Sequence, residues 1–413
     1  MGTKEAKAHF GVTVKAIFKN YSRGAETTRD SWMYDFNLER LTKDAASMID
    51  VYNSEVLRWI KAGRPKDIDS FVLNDEAQIK WSSSLKECLS REAKATFKPE
   101  KIRHALYRPF TRQYLFFDNI MTHRQGQMPR FFPTPESESE NSLIVVSDMG
   151  YRAAFSTLVT NVIPDLHLVA ASDAFQCFPF YTYAEDGSNR TENITDWALA
   201  QFRAQYGEAV SKRDIFHYVY AVLHHPAYRA KYAENLKREL PRIPLVEPVE
   251  TRFIASPSIA SPATPAATDK DAINRVSTFA SLVEIGRQLA ALHLNYESAP
   301  EYCLSWVENP AETFSYRVKK MKLTGDKSAV VVNSSLTLAG IPPAALNYKL
   351  GNRSALEWII DQYQVKTDAR SGLVSDPNRE DDEEYIARLL GRVVTVSIET
   401  QKLIDALPPL FSE

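Results

Sequence analysis

The sequence predicts an α+β fold, with helices mixed among short, mostly antiparallel sheets and a mainly helical C-terminal part. Three observations carry that prediction. Apolar residues recur at helical spacing in several separate segments, runs rich in β-branched and aromatic residues stand between them, and the two kinds do not alternate regularly. Strict alternation would signal a doubly wound parallel sheet, so its absence favours locally paired strands. At 413 residues, 44% hydrophobic and 25% charged, the chain can bury one or two ordinary cores.

Along the chain, helices are expected over 38–61, 75–96 and 195–206, with strands at LIVVS (143–147) and FPFYTY (178–183). The stretch from Asp214 to Leu245 reads as a pair of helices. Ile215, Tyr218, Val219, Val222 and Leu223 form one apolar stripe. Pro226 suits the first position of a second helix, on which Tyr228, Tyr232, Leu236 and Leu240 recur until Pro241 and Pro244 end it. His217 and His224 share a face but stand two turns apart, about 10 Å by the helical rise, too far to share a metal ion. His225 points elsewhere.

The Ser-, Pro- and Ala-rich stretch 250–271 offers no packed face and reads as a linker or exposed loop. It divides the chain into 1–249 and 272–413. In the second part Leu282, Ile285, Gly286, Leu289 and Leu292 mark a helix, and SAVVVNSSLTLAG (328–340) suggests an antiparallel strand pair. RSALEWIIDQYQ (353–364) is a helix with Ser354 and Glu357 as its capping box. Ile386, Leu389, Leu390, Val393 and Val394 begin a last, longer helix.

Several function classes lack their motifs. No two of the 14 glycines stand as G-x-G, and there is no G-K-[ST], G-x-S-x-G or H-E-x-x-H. The proline pairs Pro342-Pro343 and Pro408-Pro409 do not follow Asn or Asp, so an [ND]-P-P-[YF] methyltransferase tetrapeptide is missing. Glu92-Ala93-Lys94, with Asp75 upstream, can be cast as a nuclease corner, but such triplets are common by chance in helical stretches. Cys88, Cys177 and Cys303 make neither a disulfide framework nor a C-x-x-C site. No catalytic residue, cofactor or metal ligand is expected. With no run of eighteen apolar residues and no apolar leader, the expected home is the cytoplasm and not a membrane.

Charge is balanced overall at −2 but unevenly spread. Lys101–Arg130 holds six basic residues against Asp118, Lys212–Pro244 holds seven against three, and the end from Lys366 carries ten acids against six bases. Between Tyr107 and Pro133, Arg108, Arg112, Arg124 and Arg130 can bridge phosphates or address guanine, while Gln125 and Gln127 suit adenine edges. His123, Gly126 and Pro129 give MTHRQGQMP the look of a loop able to enter a groove. Lys237 and Arg238 offer further phosphate contacts. The competing reading of the same stretch is a buried strand pair with ordinary surface arginines.

YSRGAETTRDSWMYDF (21–36), YRPFTRQYLFFD (107–118), DIFHYVYAVLHHPAYRAKYAENLKRELPRIPL (214–245) and GNRSALEWIIDQYQVK (351–366) resemble the C-terminal specificity region of type ISP restriction–modification enzymes. In that family one polypeptide joins nuclease, helicase-like ATPase, adenine methyltransferase and target-recognition domain. The resemblance implies sequence-specific binding of duplex DNA, with methylation and cleavage done upstream. Two departures stand out: the chain begins where the methyltransferase would be ending, and the 250–271 stretch looks longer than the family's usual join. A subunit that docks on a separate methyltransferase or helicase, and a nuclease with an unrecognised site, are the alternative readings.

Overall fold

The computed structural model describes residues 1–9, 15–169, 173–246 and 269–411. Its centre is built around Leu143–Ser147, where all five residues are buried. Successive side chains of a strand point to opposite faces. Leu143 and Val145 accordingly join one apolar core, Ile144 and Val146 a second. A strand covered on both faces needs an apolar residue at every position, which is why LIVVS is a run and not an alternation. Phe175–Pro179 and Thr157–Thr160 pair with it antiparallel, and Ser22–Arg23 completes a four-stranded sheet.

A second sheet is built on the hairpin Ile102–Arg108 and Thr111–Phe116, flanked by Tyr34–Asp35 and, in parallel, by Ile163–Pro164. Phe110 in the hairpin turn adopts φ 55°, a conformation that costs any residue with a Cβ. Its ring is buried edge-on to Tyr296, centroids 5.2 Å apart, and that packing holds the turn. The third four-stranded sheet comprises Ser305–Glu308, Leu336–Ala339, Ala329–Val331 and Lys322–Leu323 in that order. The expected 328–340 pair is at its middle.

Two long helices, Lys212–His224 and Asp269–Leu294, close the second core, and a third, Tyr385–Asp405, buries most of its apolar residues in the first. The first two cross so closely at Gly286 that a Cβ there would lie 2.0 Å from the His217 carbonyl oxygen. His293 ties all three together. Its Nδ1 meets the Tyr220 hydroxyl at 2.6 Å, its Nε2 meets the Thr400 hydroxyl at 2.8 Å, and the ring stacks on Tyr348. Two histidines of the 214–245 pair are structural too. His224 Nδ1 donates to the Tyr220 carbonyl, and His225 caps Pro226–Lys231 through Nδ1 while Nε2 donates to the Pro408 carbonyl.

The α+β class stands, and the helices Leu38–Lys61, Asp196–Tyr206 and Ala355–Gln362 form where expected, the last with the Ser354–Glu357 capping box. Three expectations need correction. The helix over 75–96 shrinks to Ser83–Ser90, because Ser82 caps its start and Glu92 turns to φ 58° just past its end. The second helix of the 214–245 pair breaks at Tyr232 into Pro226–Lys231 and Ala233–Arg238. FPFYTY divides between two sheets: Phe180 still bonds Ser142 in register with the first ladder, and Tyr181, whose N–H turns to the Asn141 side chain, starts the pairing with Thr191–Glu192. The linker reading lies mostly outside the described residues; 269–271 belong to the helix Asp269–Leu294. Segments from both sides of it contribute to both cores.

Candidate nucleic-acid interface

The four arginines of the 107–133 stretch separate in space. Arg108 pairs with the buried Asp165 at 2.8 Å and lies over the Tyr107 ring. Asp165 also accepts from the Tyr34 hydroxyl and the His167 backbone N–H. Arg112 bridges to the C-terminal part, bonding Glu297 at 2.8 Å, Asn161 at 2.9 Å and the Leu294 carbonyl at 3.1 Å. Strand alternation explains both, because the hairpin's two faces are covered by neighbouring segments and a cation there must find an acid. For these two residues the strand-pair reading describes the geometry, and their guanidinium groups are spent inside the fold. Arg130 is half-buried, its Nε 3.5 Å from the Tyr183 carbonyl.

Beyond the hairpin, the backbone leaves the sheet as a loop held against 22–26. Arg124 exchanges both backbone hydrogen bonds with Glu26, and the Gln127 N–H donates to the Ser22 hydroxyl. Gly126, at φ 59°, allows this approach: a Cβ would stand 2.6 Å from the Ser22 oxygen. Arg124 is 70% exposed and steadied by Glu26 at 3.4 Å. The Gln125 side chain has no hydrogen-bond partner among the described residues, whereas Gln127 accepts from the Asn20 amide and is committed to the fold. His123 points to Ser84, with Nδ1 2.8 Å from its hydroxyl.

A cleft of about 780 Å³ opens beside this loop, bordered by Arg124 and Gly126, by Lys4, Lys7 and Arg23, and by Leu240. Leu240 lies within the second basic segment, 212–244. The Gly150 N–H in the cleft's Asp148–Tyr151 turn donates to the Lys237 carbonyl at 2.7 Å. Lys237 and Arg238 are exposed beside it, Lys237 paired with Glu234 and Arg238 without an ion pair among the described residues. The fold thus brings the 122–130 loop and the 237–240 segment to one place. It leaves Arg108 and Arg112 elsewhere.

Arg23, Lys4 and Lys7 are additions that residue-by-residue reading did not select. Arg23 is 58% exposed yet fixed by the buried Asp148 at 2.8 Å. Arg23 and Arg124 therefore share a design in which a shielded carboxylate sets the direction of an exposed guanidinium. Held this way, each loses less side-chain freedom when an anion docks. Arg23 lay within the 21–36 word; Lys4 and Lys7 sit in a short helix that gave no signal beyond two isolated charges. His167 also lines the cleft, its Nδ1 buried without a hydrogen-bond partner. Among the described residues no group of three or more His, Cys, Asp or Glu is placed to hold a metal ion, and Glu92 is paired with Arg64.

A family model for the Type ISP C-terminal specificity domain matches residues 16–390. Among solved structures, a nuclease-deletion mutant of the Type ISP restriction–modification enzyme LlaGI, in complex with a DNA substrate mimic, is 36% identical with a TM-score of 0.78. That match covers 96% of this chain and 34% of the other. The ATP-dependent Type ISP enzyme LlaBIII bound to DNA is 31% identical over 97% of this chain and 24% of its own, TM-score 0.79. The DrdV–DNA complex is 32% identical over 96% of this chain and 36% of its own, TM-score 0.77. This chain thus corresponds to between about a quarter and a third of each of these proteins. A search among curated proteins finds no match.

Proposed function

This chain belongs to the Type ISP C-terminal specificity domain family, and from that premise we propose that it is a recognition module for a specific sequence in duplex DNA. The observation that carries the reading is the meeting of two basic segments, remote in sequence, at one cleft beside a protruding loop. In this reading Lys237, Arg238, Lys4, Lys7 and Arg23 meet phosphates. Arg124 and Gln125 are placed to reach base edges, Arg124 toward guanine and Gln125 toward adenine. Arg130 and His123 shape the loop. Nuclease, ATPase and methyltransferase work belongs to other parts of such a system, and this chain supplies the address. Its three cysteines are free, which suits the reducing cytoplasm we infer for it.

The test is a fluorescence-anisotropy titration of the purified chain with labelled duplex in metal-free buffer at several salt concentrations. Binding is expected without a partner or magnesium, with log affinity falling linearly as log salt rises. Replacing Lys237 and Arg238 together should weaken all duplexes alike and reduce the salt slope by about one unit per lost phosphate contact. Binding that appears only with an added methyltransferase or helicase polypeptide would favour a docking subunit. Magnesium-dependent cleavage would favour a nuclease.

A further inference from the structure

The third sheet ends in an exposed edge. Its outer strand, Ser305–Glu308, is exposed at every residue and, among the described residues, pairs on one side only, with Leu336–Ala339. Register places Trp306 opposite the buried Leu338 and Glu308 opposite the buried Leu336, so the core-facing side of the sheet runs out into solvent here. Trp306 and Phe314 remain 39% and 38% exposed. Both rings meet Tyr316 edge-on, centroids 5.7 and 4.8 Å away, forming one aromatic ledge. Clustered exposed aromatics of this kind mark contact sites, and a free strand edge is a template for another strand.

Charge selects among visitors. Glu384, Glu308 and Glu383 all lie close enough to act electrostatically on the Tyr316 hydroxyl. Glu312, two residues from Phe314, is also exposed. Arg317 is spent on Asp376, Arg388 pairs with Glu384 at 3.5 Å, and Lys322 lies on the opposite edge of the sheet, which leaves Glu308, Glu312 and Glu383 as the acids without an ion pair among the described residues. The ledge is therefore rimmed by acids, which repel a nucleic-acid backbone and attract cations.

We propose that the Ser305–Glu308 edge and the Trp306–Phe314–Tyr316 ledge form a docking site for an extended, basic protein segment that adds a strand to this sheet. Its backbone would take the unpaired groups of the edge, alternate apolar side chains would cover the aromatic rings, and lysines or arginines would meet Glu308, Glu312 and Glu383. This surface is distinct from the cleft, so a partner could be held while the cleft holds DNA.

The test pans a phage-displayed library of random dodecapeptides on the intact 413-residue chain. Enriched peptides should alternate apolar with basic residues. Affinity for them should fall about tenfold or more in Trp306→Ser/Phe314→Ser, the loss expected for removing aromatic anchors. Glu308→Lys/Glu312→Lys should weaken the same peptides while changing only exposed positions, which guards against a folding artefact. Melting temperature and duplex binding should be unchanged in both variants. Arg124→Ala should leave peptide binding intact. No enrichment over uncoated support, neutral or acidic winners, or binding that survives both double variants would overturn the proposal. So would a single-stranded oligonucleotide competing for the ledge, or concentration-dependent self-association abolished by Trp306→Ser/Phe314→Ser, since each names a different occupant.

Discussion

Arg108 and Arg112 stand on a hairpin, and Arg124 stands on the loop a few residues later, yet their charges have opposite fates. The hairpin arginines neutralise acids from distant segments, Asp165 and Glu297, and are mostly covered. The loop arginine leans on a half-buried acid over a longer contact, 3.4 Å, and projects into solvent. A basic stretch in a sequence is thus two things at once: cations that close the fold, and cations that the fold holds out to something else. What separates them is whether an acid waits on the covering layer.

The largest effect should come from breaking the buried side of this contrast. Arg108→Ala strands the Asp165 carboxylate and should cost about 3 kcal/mol or more of stability, measured by chemical denaturation. The cost should depend on pH. Burial lifts the Asp165 carboxyl to about 6 even while Arg108 pulls it down. A carboxyl raised in the folded state costs stability as pH rises from its unfolded value of 3.8 through its folded value. Without Arg108 the folded value climbs further. The deficit of the variant should therefore be full near pH 8 and smaller near pH 5, where Asp165 has taken up a proton. A pH-independent deficit would show that Arg108 matters for packing alone.

On the exposed side the expectation reverses. Arg124→Ala and Gln125→Ala should melt within about 0.5 kcal/mol of the unaltered chain. Each should lose about 1–3 kcal/mol of discrimination at one base pair. Uniform weakening on every duplex would make these residues phosphate anchors. The smallest effect sharpens the boundary between the two classes. Gln127→Ala loses the bond from Asn20 and should cost about 1 kcal/mol of stability, with base preference intact. If Gln127→Ala instead relaxes specificity, the side chain must leave Asn20 on binding.

What could be read beforehand follows the same division. Local rules settled local structure: the capping box at Ser354 and Glu357, the apolar stripe of Lys212–His224 and the run LIVVS each depend on neighbours in sequence. The break at Tyr232 obeyed no such rule, because Tyr228, Tyr232 and Leu236 keep helical spacing across it. Likewise nothing near Arg112 announces Glu297, and nothing near Lys237 announces its bond to Gly150. Residue types in the candidate site were legible where a loop signal, Gly126 with Pro129, coincided with Arg and Gln. Membership of the cleft was not, since Lys4, Lys7 and Arg23 join it only through tertiary packing.

The central claim is that this chain reads a DNA sequence through the loop at the cleft. Selection of bound duplexes from a random pool, followed by sequencing, tests it most directly when run in parallel on the unaltered chain and on Arg124→Ala/Gln125→Ala. The account predicts one enriched motif for the unaltered chain and the same motif, degenerate at one or two positions, for the variant. No enrichment by the folded, unaltered chain, or an identical motif from both proteins, would contradict it.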